Sequence, residues 1–220
     1  MNDCLPRRAR LITLEGGEGA GKSTALATVR DCLQAAGGQL VVSREPGGTP
    51  LAEQLRAMVL HASRQDDADE RLHPAAELLM VFAARAQHVA EVIEPALARG
   101  DWVLCDRFTD SSFAYQGAGR GLDPAWLADL ERRVVGFVPG LTLWLDVPVA
   151  VGRARVQERG GVPDAIEREH DDFFERVHAG FAARMAADPQ RFVRIDAAAP
   201  LASMVGQIEQ AVSAYLAQVR

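Results

Sequence analysis

Short apolar runs recur along the chain and alternate with segments of helical spacing. Runs of about four to eight apolar residues bounded by turn residues indicate buried strands. The runs lie at Arg10–Leu14, Gln39–Ser43, Trp102–Cys105, Leu141–Val147 and Phe192–Ile195. The first, third and fourth are almost continuously apolar, which is typical of strands covered on both faces in a parallel sheet.

The segments between these runs carry apolar residues at helical spacing. They are Ser23–Ala36, Leu51–Leu60, Ala75–Ala98, Pro124–Val134 and Leu201–Gln218, and an arginine-rich helix precedes Gly160. Alternation of strands and helices predicts right-handed crossovers and a doubly wound α/β domain. Ligands of such folds bind at the carboxyl ends of the strands, so the chemistry is expected there.

Two irregular segments interrupt this pattern. The polar stretch Ser63–Arg71 is expected to be a surface loop, and Gly160–Asp164 has the glycines and proline of a mobile lid. The sequence has no internal repeat and no long linker. Residues 1–220 are therefore expected to form a single domain, with a lid segment at about 153–168.

The composition argues against several classes of protein. Of the 220 residues, 48% are hydrophobic and 25% charged, which is ordinary for a globular protein. The net charge of −6 disfavours a nucleic-acid polymer as partner, because surfaces that bind one are usually basic. No apolar stretch approaches the ~18 residues of a membrane helix. The short apolar run near the start, Leu11 to Leu14, falls below the about 7–15 apolar residues of a secretory signal. Three separated cysteines suit a reducing compartment, so we expect a soluble, cytoplasmic protein without a membrane partner.

A complete phosphate-binding motif follows the first strand. Gly-Gly-Glu-Gly-Ala-Gly-Lys-Ser matches G-x-x-x-x-G-K-[ST], whose glycines let backbone N–H groups surround phosphates at a helix N-terminus. Lys22 is expected to reach the terminal phosphates and Ser23 to hold Mg²⁺. A glycine-rich turn without a ligand is the alternative. The predicted nucleotide-binding residues are Gly16, Gly17, Glu18, Gly19, Ala20, Gly21, Lys22, Ser23 and Thr24.

Acidic residues accompany this loop. Glu18 lies inside it and needs a hydroxyl, an arginine or Mg²⁺ as its partner, unless it is a solvated loop residue. Asp106 directly follows the third strand, where a carboxylate binds Mg²⁺ directly or through water. Arg107 has a planar fork suited to phosphate. An ion pair between these two residues is the alternative.

The residues after Arg107 predict a nucleoside pocket. Phe108, Ser111, Ser112, Tyr115 and Gln116 share one helical face, which combines aromatic rings with hydroxyl and amide groups. Such groups suit a base and a sugar. Tyr115 is either part of this pocket or a core residue with a satisfied hydroxyl.

Two arginines precede the lid glycines. Arg155 and Arg159 are four residues apart and share a helix face, so they are able to close over a transferring phosphate, unless that face is simply solvated. Arg159 is expected to matter more because it borders Gly160. The five histidines match no nucleophile–base motif and are expected to be surface or structural residues.

Four motifs together resemble those of bacterial thymidylate kinases. They are Gly16–Ser23, Arg44-Glu45-Pro46-Gly47-Gly48-Thr49, Asp106-Arg107-Phe108 and Ala114-Tyr115-Gln116-Gly117, in this order. The resemblance extends from about Leu11 through the final helix. It implies a three-layer P-loop NTPase fold, with a five-stranded parallel sheet flanked by helices. It also implies phosphorylation of dTMP to dTDP with ATP and Mg²⁺, in a homodimer that serves dTTP synthesis.

The resemblance also implies roles for individual residues. Lys22, Arg107, Arg155, Arg159 and Glu18 would be the catalytic set. Asp196, after the last strand, would begin the loop that seats adenine. On the acceptor side, Arg107 would bind the phosphate, and Tyr115 would lie under the deoxyribose with Ser111 on the same face. Glu18 would lie near the sugar, and Pro46 would form part of the pocket wall. Arg85 and Ser112 would contact thymine, and Gln116 would hold the base side.

The chain departs from the family pattern at two places. Where relatives stack an aromatic ring on thymine, this chain has Val81 followed by Phe82, so either Phe82 turns inward or the base packs against an aliphatic wall. In the lid, relatives often read Asp-Arg-x-Glu, whereas this chain has Asp164-Ala165-Ile166-Glu167.

The motifs leave rival functions open. One is a kinase for another nucleoside monophosphate or for a deoxynucleoside, and another is a P-loop module that switches a partner. An acceptor phosphate is mostly a dianion at neutral pH and needs no general base, whereas an alcohol acceptor does. The lack of a histidine base motif therefore favours a monophosphate acceptor.

Overall fold

The protein is described here from a computed structural model that covers residues 7–61, 72–160 and 162–219. The predicted surface loop Ser63–Arg71 lies outside these residues. Within them, no helix is both long enough and apolar enough to cross a membrane.

Five parallel strands form one sheet in the order β2-β3-β1-β4-β5. They are β1 (Leu11–Glu15), β2 (Leu40–Arg44), β3 (Trp102–Asp106), β4 (Leu141–Asp146) and β5 (Phe192–Asp196). Each predicted strand is confirmed to within one residue at either end. The central strands β1 and β4 are buried throughout and β3 nearly so, whereas the edge strands β2 and β5 are partly exposed.

Helices cover both faces of the sheet. They are α1 (Lys22–Ala35), α2 (Pro50–His61), α3 (Pro74–His88), α4 (Glu94–Arg99), α5 (Thr109–Ser112), α6 (Pro124–Leu130), α7 (Val149–Arg159), α8 (Asp171–Ala187) and α9 (Leu201–Gln218). On one face, Leu14 and Leu104 pack with residues of α1 and α9. On the other, Leu11 and Val103 pack with Ile93 and the segment around it. The predicted three-layer architecture is confirmed.

The predicted helix Ala75–Ala98 is present but not regular. A π-helical turn, Val89–Ile93, separates α3 from α4, and Pro95 lies in the first turn of α4. Proline has no N–H to donate and crowds the carbonyl one turn earlier, so the backbone widens locally to accommodate it. A similar π-helical segment, Phe113–Gly119, continues α5.

Helix α8 was not among the predicted elements, although it shapes the site. Its apolar residues Phe173, Phe174, Val177 and Phe181 are buried at helical spacing against Tyr115 and its neighbours. This spacing is visible in the sequence and would have predicted the helix.

A buried ion-pair cluster joins α8 to α5. Asp110 is fully buried and accepts hydrogen bonds from Arg191 at 2.6 and 3.0 Å and from Arg184 at 2.6 Å. Although burial acts in the opposite direction, the two guanidinium groups lower the pKa of Asp110. The carboxylate is therefore charged at neutral pH, and it fixes α5 relative to α8 and to the loop before β5.

Candidate active site

A cavity of about 410 Å³ lies at the carboxyl ends of the central strands. Its walls come from the loop after β1, from Glu45 and Pro46 after β2, and from Asp106 and Arg107 at the end of β3. This edge is where parallel α/β sheets bind ligands. The structure thus brings residues from widely separated parts of the sequence to one place.

The loop from β1 to α1 requires glycine. Gly19 has a φ of +70°, and a Cβ at this position would lie 2.1 Å from the backbone oxygen of Gly152 in α7. Helix α1 begins at Lys22, directly after the loop. Its unpaired N–H groups and the positive end of its dipole face the loop, which is an arrangement that binds phosphate.

Lys22 folds back over this loop. Its Nζ donates to the backbone oxygens of Gly17 at 2.9 Å and of Gly16 at 3.3 Å. Burial and the nearby charge of Arg107 lower the pKa of Lys22 to about 8, against the opposing effect of Glu18 and other carboxylates. A bound polyphosphate would place negative charge beside this ammonium group and stabilise its protonated form.

Glu18 is not a solvated loop residue. Its Oε1 accepts hydrogen bonds from Arg107 at 2.6 Å and from the hydroxyl of Tyr115 at 3.1 Å. Although burial acts in the opposite direction, the charges of Arg107 and Lys22 and the Tyr115 hydroxyl lower the pKa of Glu18 to about 2. Glu18 therefore joins the phosphate loop to the helical face after β3.

Arg107 is held in a left-handed backbone conformation, with a φ of +67°. Its side chain donates to the oxygen of Gly16 at 2.8 Å and lies 4.9 Å from the centre of the Tyr115 ring. Non-glycine residues in this region are strained by about 1 kcal/mol or more, and such residues concentrate at functional sites. In this conformation the guanidinium contacts the phosphate loop while the residue lines the cavity.

Glu15 lies behind the cavity wall and holds two residues that line it, a role that no sequence motif predicts. It is fully buried at the end of β1 and accepts a hydrogen bond from the backbone N–H of Phe108 at 2.8 Å and from Ser111 at 2.5 Å. Burial and the charge of Asp110 raise its pKa to about 8. An acid that ends an apolar strand directly before the first loop glycine was the available signal.

Asp106 suits a cation. Its Oδ1 is buried and has no hydrogen-bond partner in the described part of the chain. Ser23 lies in the first turn of α1 and lines the same cavity. Residues 7–61, 72–160 and 162–219 contain no group of three or more His, Cys, Asp or Glu side chains that could hold a metal by themselves. Such a sparse donor set fits Mg²⁺, which keeps several waters and binds through substrate phosphates.

The wall that the sequence assigns to the base, here called the base-side wall, centres on Arg85, which is 1% exposed. Its guanidinium donates to Glu45 at 2.6 Å, to Ser112 at 3.0 Å and to the backbone oxygen of Phe108 at 3.0 Å. All members of the predicted helical face line this cavity, namely Phe108, Ser111, Ser112, Tyr115 and Gln116.

Arg56 also lines the cavity and was missed by sequence reasoning. Its side chain donates to the backbone oxygen of Pro46 at 2.9 Å. Burial and the charges of Arg44 and Arg107 lower its pKa, whereas Glu53 and Asp106 act in the opposite direction, so Arg56 and Arg107 are close enough for their charges to interact. No motif marks Arg56, because only the packing of α2 brings it to β2 and β3.

Comparison with known proteins identifies the family. A family model described as thymidylate kinase matches residues 14–208. The chain belongs to the thymidylate kinase family. A thymidylate kinase of Alkalilimnicola ehrlichii is 53% identical over 94% of this chain and 93% of that protein. One of Teredinibacter turnerae is 50% identical over 94% of this chain and 98% of that protein.

A solved structure agrees with this assignment. The crystal structure of a thymidylate kinase from Ehrlichia chaffeensis matches with a TM-score of 0.74 and 29% identity, over 95% of this chain and 98% of that one. Thymidylate kinases phosphorylate dTMP to dTDP, and the family uses ATP. The chain is therefore a kinase of nucleotide biosynthesis.

The structure bears on the first departure from the thymidylate kinase pattern. Val81 lines the cavity, whereas Phe82 does not. Phe82 is 2% exposed and packs with Leu78 and Leu127, under the guanidinium of Arg85 at 4.6 Å. The expectation that Phe82 contacts the substrate is therefore not supported by this geometry, because its ring supports Arg85 from behind.

Other expected nucleotide contacts also lie away from the cavity wall. Asp196 accepts hydrogen bonds from the N–H groups of Ala198 at 3.0 Å and Ala199 at 3.2 Å, so its carboxylate shapes the loop after β5. The cavity lining includes neither Asp196 nor Thr24, nor the first two loop glycines, Gly16 and Gly17. The carbonyls of those glycines are instead the acceptors for Lys22 and Arg107.

The lid arginines differ in their surroundings. Arg155 donates to the backbone oxygens of Ala197 at 2.9 Å and Gly19 at 3.3 Å, which ties the loop after β5 to the phosphate loop. Arg159 is 62% exposed at its side chain and pairs with Glu167 at 2.5 Å. Both line the cavity.

The lid departure leaves an ordered turn. Asp164 accepts the N–H of Glu167 at 2.8 Å, and Glu167 accepts the N–H of Asp164 at 3.2 Å, in the manner of a capping box. Ala165 donates its N–H to Leu60 in α2 at 3.0 Å. The turn therefore forms without the arginine that relatives often carry at position 165.

Proposed function

We propose that this chain transfers the γ-phosphoryl group of ATP directly to the phosphate of dTMP, and that residues 1–220 act as one kinase domain with a lid at about 153–168. One observation carries the proposal. Arg107 contacts Gly16 and Glu18 of the phosphate loop while lying at the end of the nucleoside wall, so a single guanidinium joins the donor and acceptor halves of one cavity.

The acceptor nucleotide binds between β2, α3 and the face after β3. Arg107 and Arg56 meet its phosphate, because both project positive charge into the same end of the cavity. Pro46 and Val81 supply apolar wall, and Arg85 with Ser112 and Gln116 recognises the base. Tyr115 lies under the sugar, with Glu18 and Ser111 beside it.

The donor binds along the phosphate loop. Backbone N–H groups of the loop and of the first turn of α1 surround the phosphates, namely those of Gly17, Gly19, Ala20, Gly21 and Lys22 to Thr24. The ammonium group of Lys22 exchanges its carbonyl partners for phosphate oxygens. Ser23 and Asp106 would hold Mg²⁺. When bound, Mg²⁺ supplies positive charge that neutralises the phosphate oxygens. Adenine lies at the loop that Asp196 begins.

The lid arginines act on the transferring group. Charge spreads over the equatorial oxygens of the phosphoryl group in the transition state, and guanidinium groups placed there stabilise it. Arg155 lies closer to the phosphate loop in this structure, and Arg159 exchanges Glu167 for phosphate when the lid closes. The acceptor dianion already carries its nucleophilic oxygen, so no general base is needed.

The proposal is tested with a panel of acceptors, dTMP, dUMP, dCMP, AMP and thymidine, with ATP and Mg²⁺. Product formation is measured by separation of the nucleotides rather than by ATP consumption alone. We expect the highest kcat/KM with dTMP and no turnover of thymidine. Preference for thymidine would identify a deoxynucleoside kinase, and slow ATP hydrolysis with no acceptor used would favour a P-loop switch.

The chain acts as a cytoplasmic homodimer in this proposal. Leu51 and Met58 of α2 and Leu79 of α3 are each about half exposed on two helices that pack together, and they provide an apolar surface for a second copy. Sedimentation equilibrium should give twice the chain mass of 23.8 kDa.

The lowered pKa of Lys22 predicts a pH dependence. Its pKa of about 8 means that Lys22 is mostly charged at pH 7 and loses its proton as the pH rises through 8. We therefore expect kcat/KM for ATP, which reports groups of the free enzyme, to fall between pH 7.5 and 9.5 by up to about tenfold per pH unit. Lysine occurs only at position 22 in the sequence, so the rate at which an amine reagent modifies that peptide measures the same pKa.

Two variants separate Lys22 from Glu15, whose pKa is also about 8. Glu15→Gln removes the carboxyl titration and should keep the fall in kcat/KM. Lys22→Arg keeps its charge throughout and should give a flat profile at lower activity. A wild-type profile that is flat to pH 9.5 would contradict the prediction.

A further inference from the structure

A chain of buried polar side chains runs from β2 to α3 behind the base-side wall. The hydroxyl of Ser43 lies 2.7 Å from Nε2 of His88, and Nδ1 of His88 lies 2.9 Å from Oε1 of Glu45. Oε2 of Glu45 in turn accepts from Nε of Arg85 at 2.6 Å. The side chains of Glu45, Arg85 and His88 are at most 2% exposed.

The groups at the two ends of this series of hydrogen bonds determine which atoms donate and which accept. Glu45 pairs with a guanidinium group, and a carboxylate only accepts hydrogen bonds. Nδ1 of His88 therefore carries the proton that it donates to Glu45, and Nε2 faces the Ser43 hydroxyl. Each oxygen of Glu45 has one fixed partner, so the carboxylate cannot rotate without breaking a contact.

The backbone leaves room for the imidazole. Gly48 has a φ of +85°, and a Cβ there would lie 2.5 Å from Cδ2 of His88 and 2.6 Å from Oγ of Ser43. A side chain at position 48 would displace the ring. The loop after β2 thus accommodates the His88 ring in this position.

Arg85 keeps donors available for a ligand. Its three contacts use Nε, Nη1 and Nη2 once each, and each Nη nitrogen of a guanidinium carries a second N–H. Because Arg85 lines the cavity, the direction of these remaining N–H groups follows from how the guanidinium is turned. Glu45 sets that rotation from one edge, and Ser112 and Phe108 from the other.

We propose that His88, acting through Glu45, is a positioning residue that orients the Arg85 guanidinium and thereby sets the affinity of the site for the pyrimidine of the acceptor nucleotide. This inference rests on the proposed function, in which Arg85 recognises the base. His88 is not among the residues that line the cavity. Its loss therefore changes acceptor binding and leaves phosphoryl transfer and ATP binding intact.

Three replacements of His88 separate the contributions of its two hydrogen bonds. The amide nitrogen of asparagine occupies the place of Nδ1, so His88→Asn keeps a donor to Glu45. His88→Gln places its amide near Nε2 and keeps only the contact with Ser43, and His88→Leu removes both contacts. KM for dTMP, KM for ATP and kcat are measured for each variant, together with the thermal unfolding midpoint.

We expect His88→Leu and His88→Gln to raise KM for dTMP about tenfold or more, because small misplacement of a binding group has effects of this order. Both kcat and KM for ATP should stay within about threefold of wild type, and His88→Asn should restore most of the affinity for dTMP. Gly48→Ala, which crowds the ring, should act like His88→Leu. The ratio of kcat/KM for dTMP over dCMP should fall in the same variants, since Arg85 donates to the base.

Other results overturn the inference. A purely structural role predicts a lower unfolding midpoint with KM for dTMP unchanged. It would also be indicated by a lower kcat together with a higher KM for both dTMP and ATP. Equal effects of asparagine, glutamine and leucine would remove Glu45 as the intermediary. Wild-type protein that binds dTMP in titration calorimetry without phosphorylating it would refute only the proposed function, and the same variants would then be compared by their dissociation constants. Wild-type protein that neither binds nor phosphorylates dTMP would refute both.

Discussion

Lys22→Met should lower kcat for dTMP phosphorylation by roughly 10³-fold, the order expected when one preorganised charge that stabilises the transition state is lost. Methionine keeps an unbranched apolar stem of similar length and removes the ammonium group with its charge and its donors. The ammonium group of Lys22 already lies over the loop, 2.9 Å from the backbone oxygen of Gly17. It therefore needs little reorganisation to meet a phosphate.

The measurement is single-turnover phosphoryl transfer with ATP and dTMP in excess of KM. The stability of the variant should not fall, because Lys22 is buried with a lowered pKa and its charge is a cost to the folded protein. Lys22→Arg serves as a charged control and should retain more activity than Lys22→Met. A kcat for Lys22→Met within tenfold of wild type would show that the loop backbone alone stabilises the phosphates.

Replacement of Arg107 should be about as damaging, with kcat/KM for dTMP lowered by roughly 10³-fold, since removal of one partner of a buried charge pair commonly costs 2–5 kcal/mol. Two losses add. The acceptor phosphate loses a planar, bidentate donor, and Glu18 loses the guanidinium that holds it at 2.6 Å. Arg107→Lys should recover little, because a lysine cannot reproduce the fork.

The left-handed backbone at Arg107 permits a matched pair of variants. Arg107→Ala and Arg107→Gly remove the same guanidinium and should lose the same activity. Glycine adopts a φ of +67° without strain and alanine does not, so the alanine variant should be less stable by about 1 kcal/mol. Urea unfolding measures that difference. Arg133→Ala, at an exposed arginine of the π-helical segment Glu131–Val135 that continues α6, should leave activity unchanged.

Unequal activities of the alanine and glycine variants would assign part of the effect to the backbone. In that case the strained conformation, rather than the guanidinium, would be what aligns Phe108 and the helical face after it. Activity near wild type in both variants would remove Arg107 from the site.

The parts of the fold that were predicted correctly depend on local pattern. Helix α9 begins and ends where its apolar spacing predicts, at Leu201 and Gln218, and the strands follow their apolar runs. The phosphate loop was found because a continuous eight-residue segment contains all of its chemistry. Local periodicity failed where proline interrupts a helix, as at the π-helical turn before Pro95.

The contacts that the sequence did not predict join residues that are far apart in the sequence. Arg56 reaches the cavity only because α2 packs beside β2, and Glu15 becomes a hydrogen-bond acceptor only because β3 ends next to β1. The position of Val81 on the cavity wall, with Phe82 behind Arg85, follows from the rotation of α3 about its axis. Packing decides which of two neighbouring helix residues faces the cavity, and the residue types alone do not show it.

The sequence by itself determined the strand–helix order, the phosphate loop and, through its motifs, the family. These properties lie in segments short enough to be encoded by neighbouring residues. Only the tertiary structure decided which side chains meet, such as Glu18 with Arg107 or His88 with Glu45. The physical reason is that hydrogen bonds and charge interactions act over a few ångströms, so their partners exist only after the sheet has brought distant segments together.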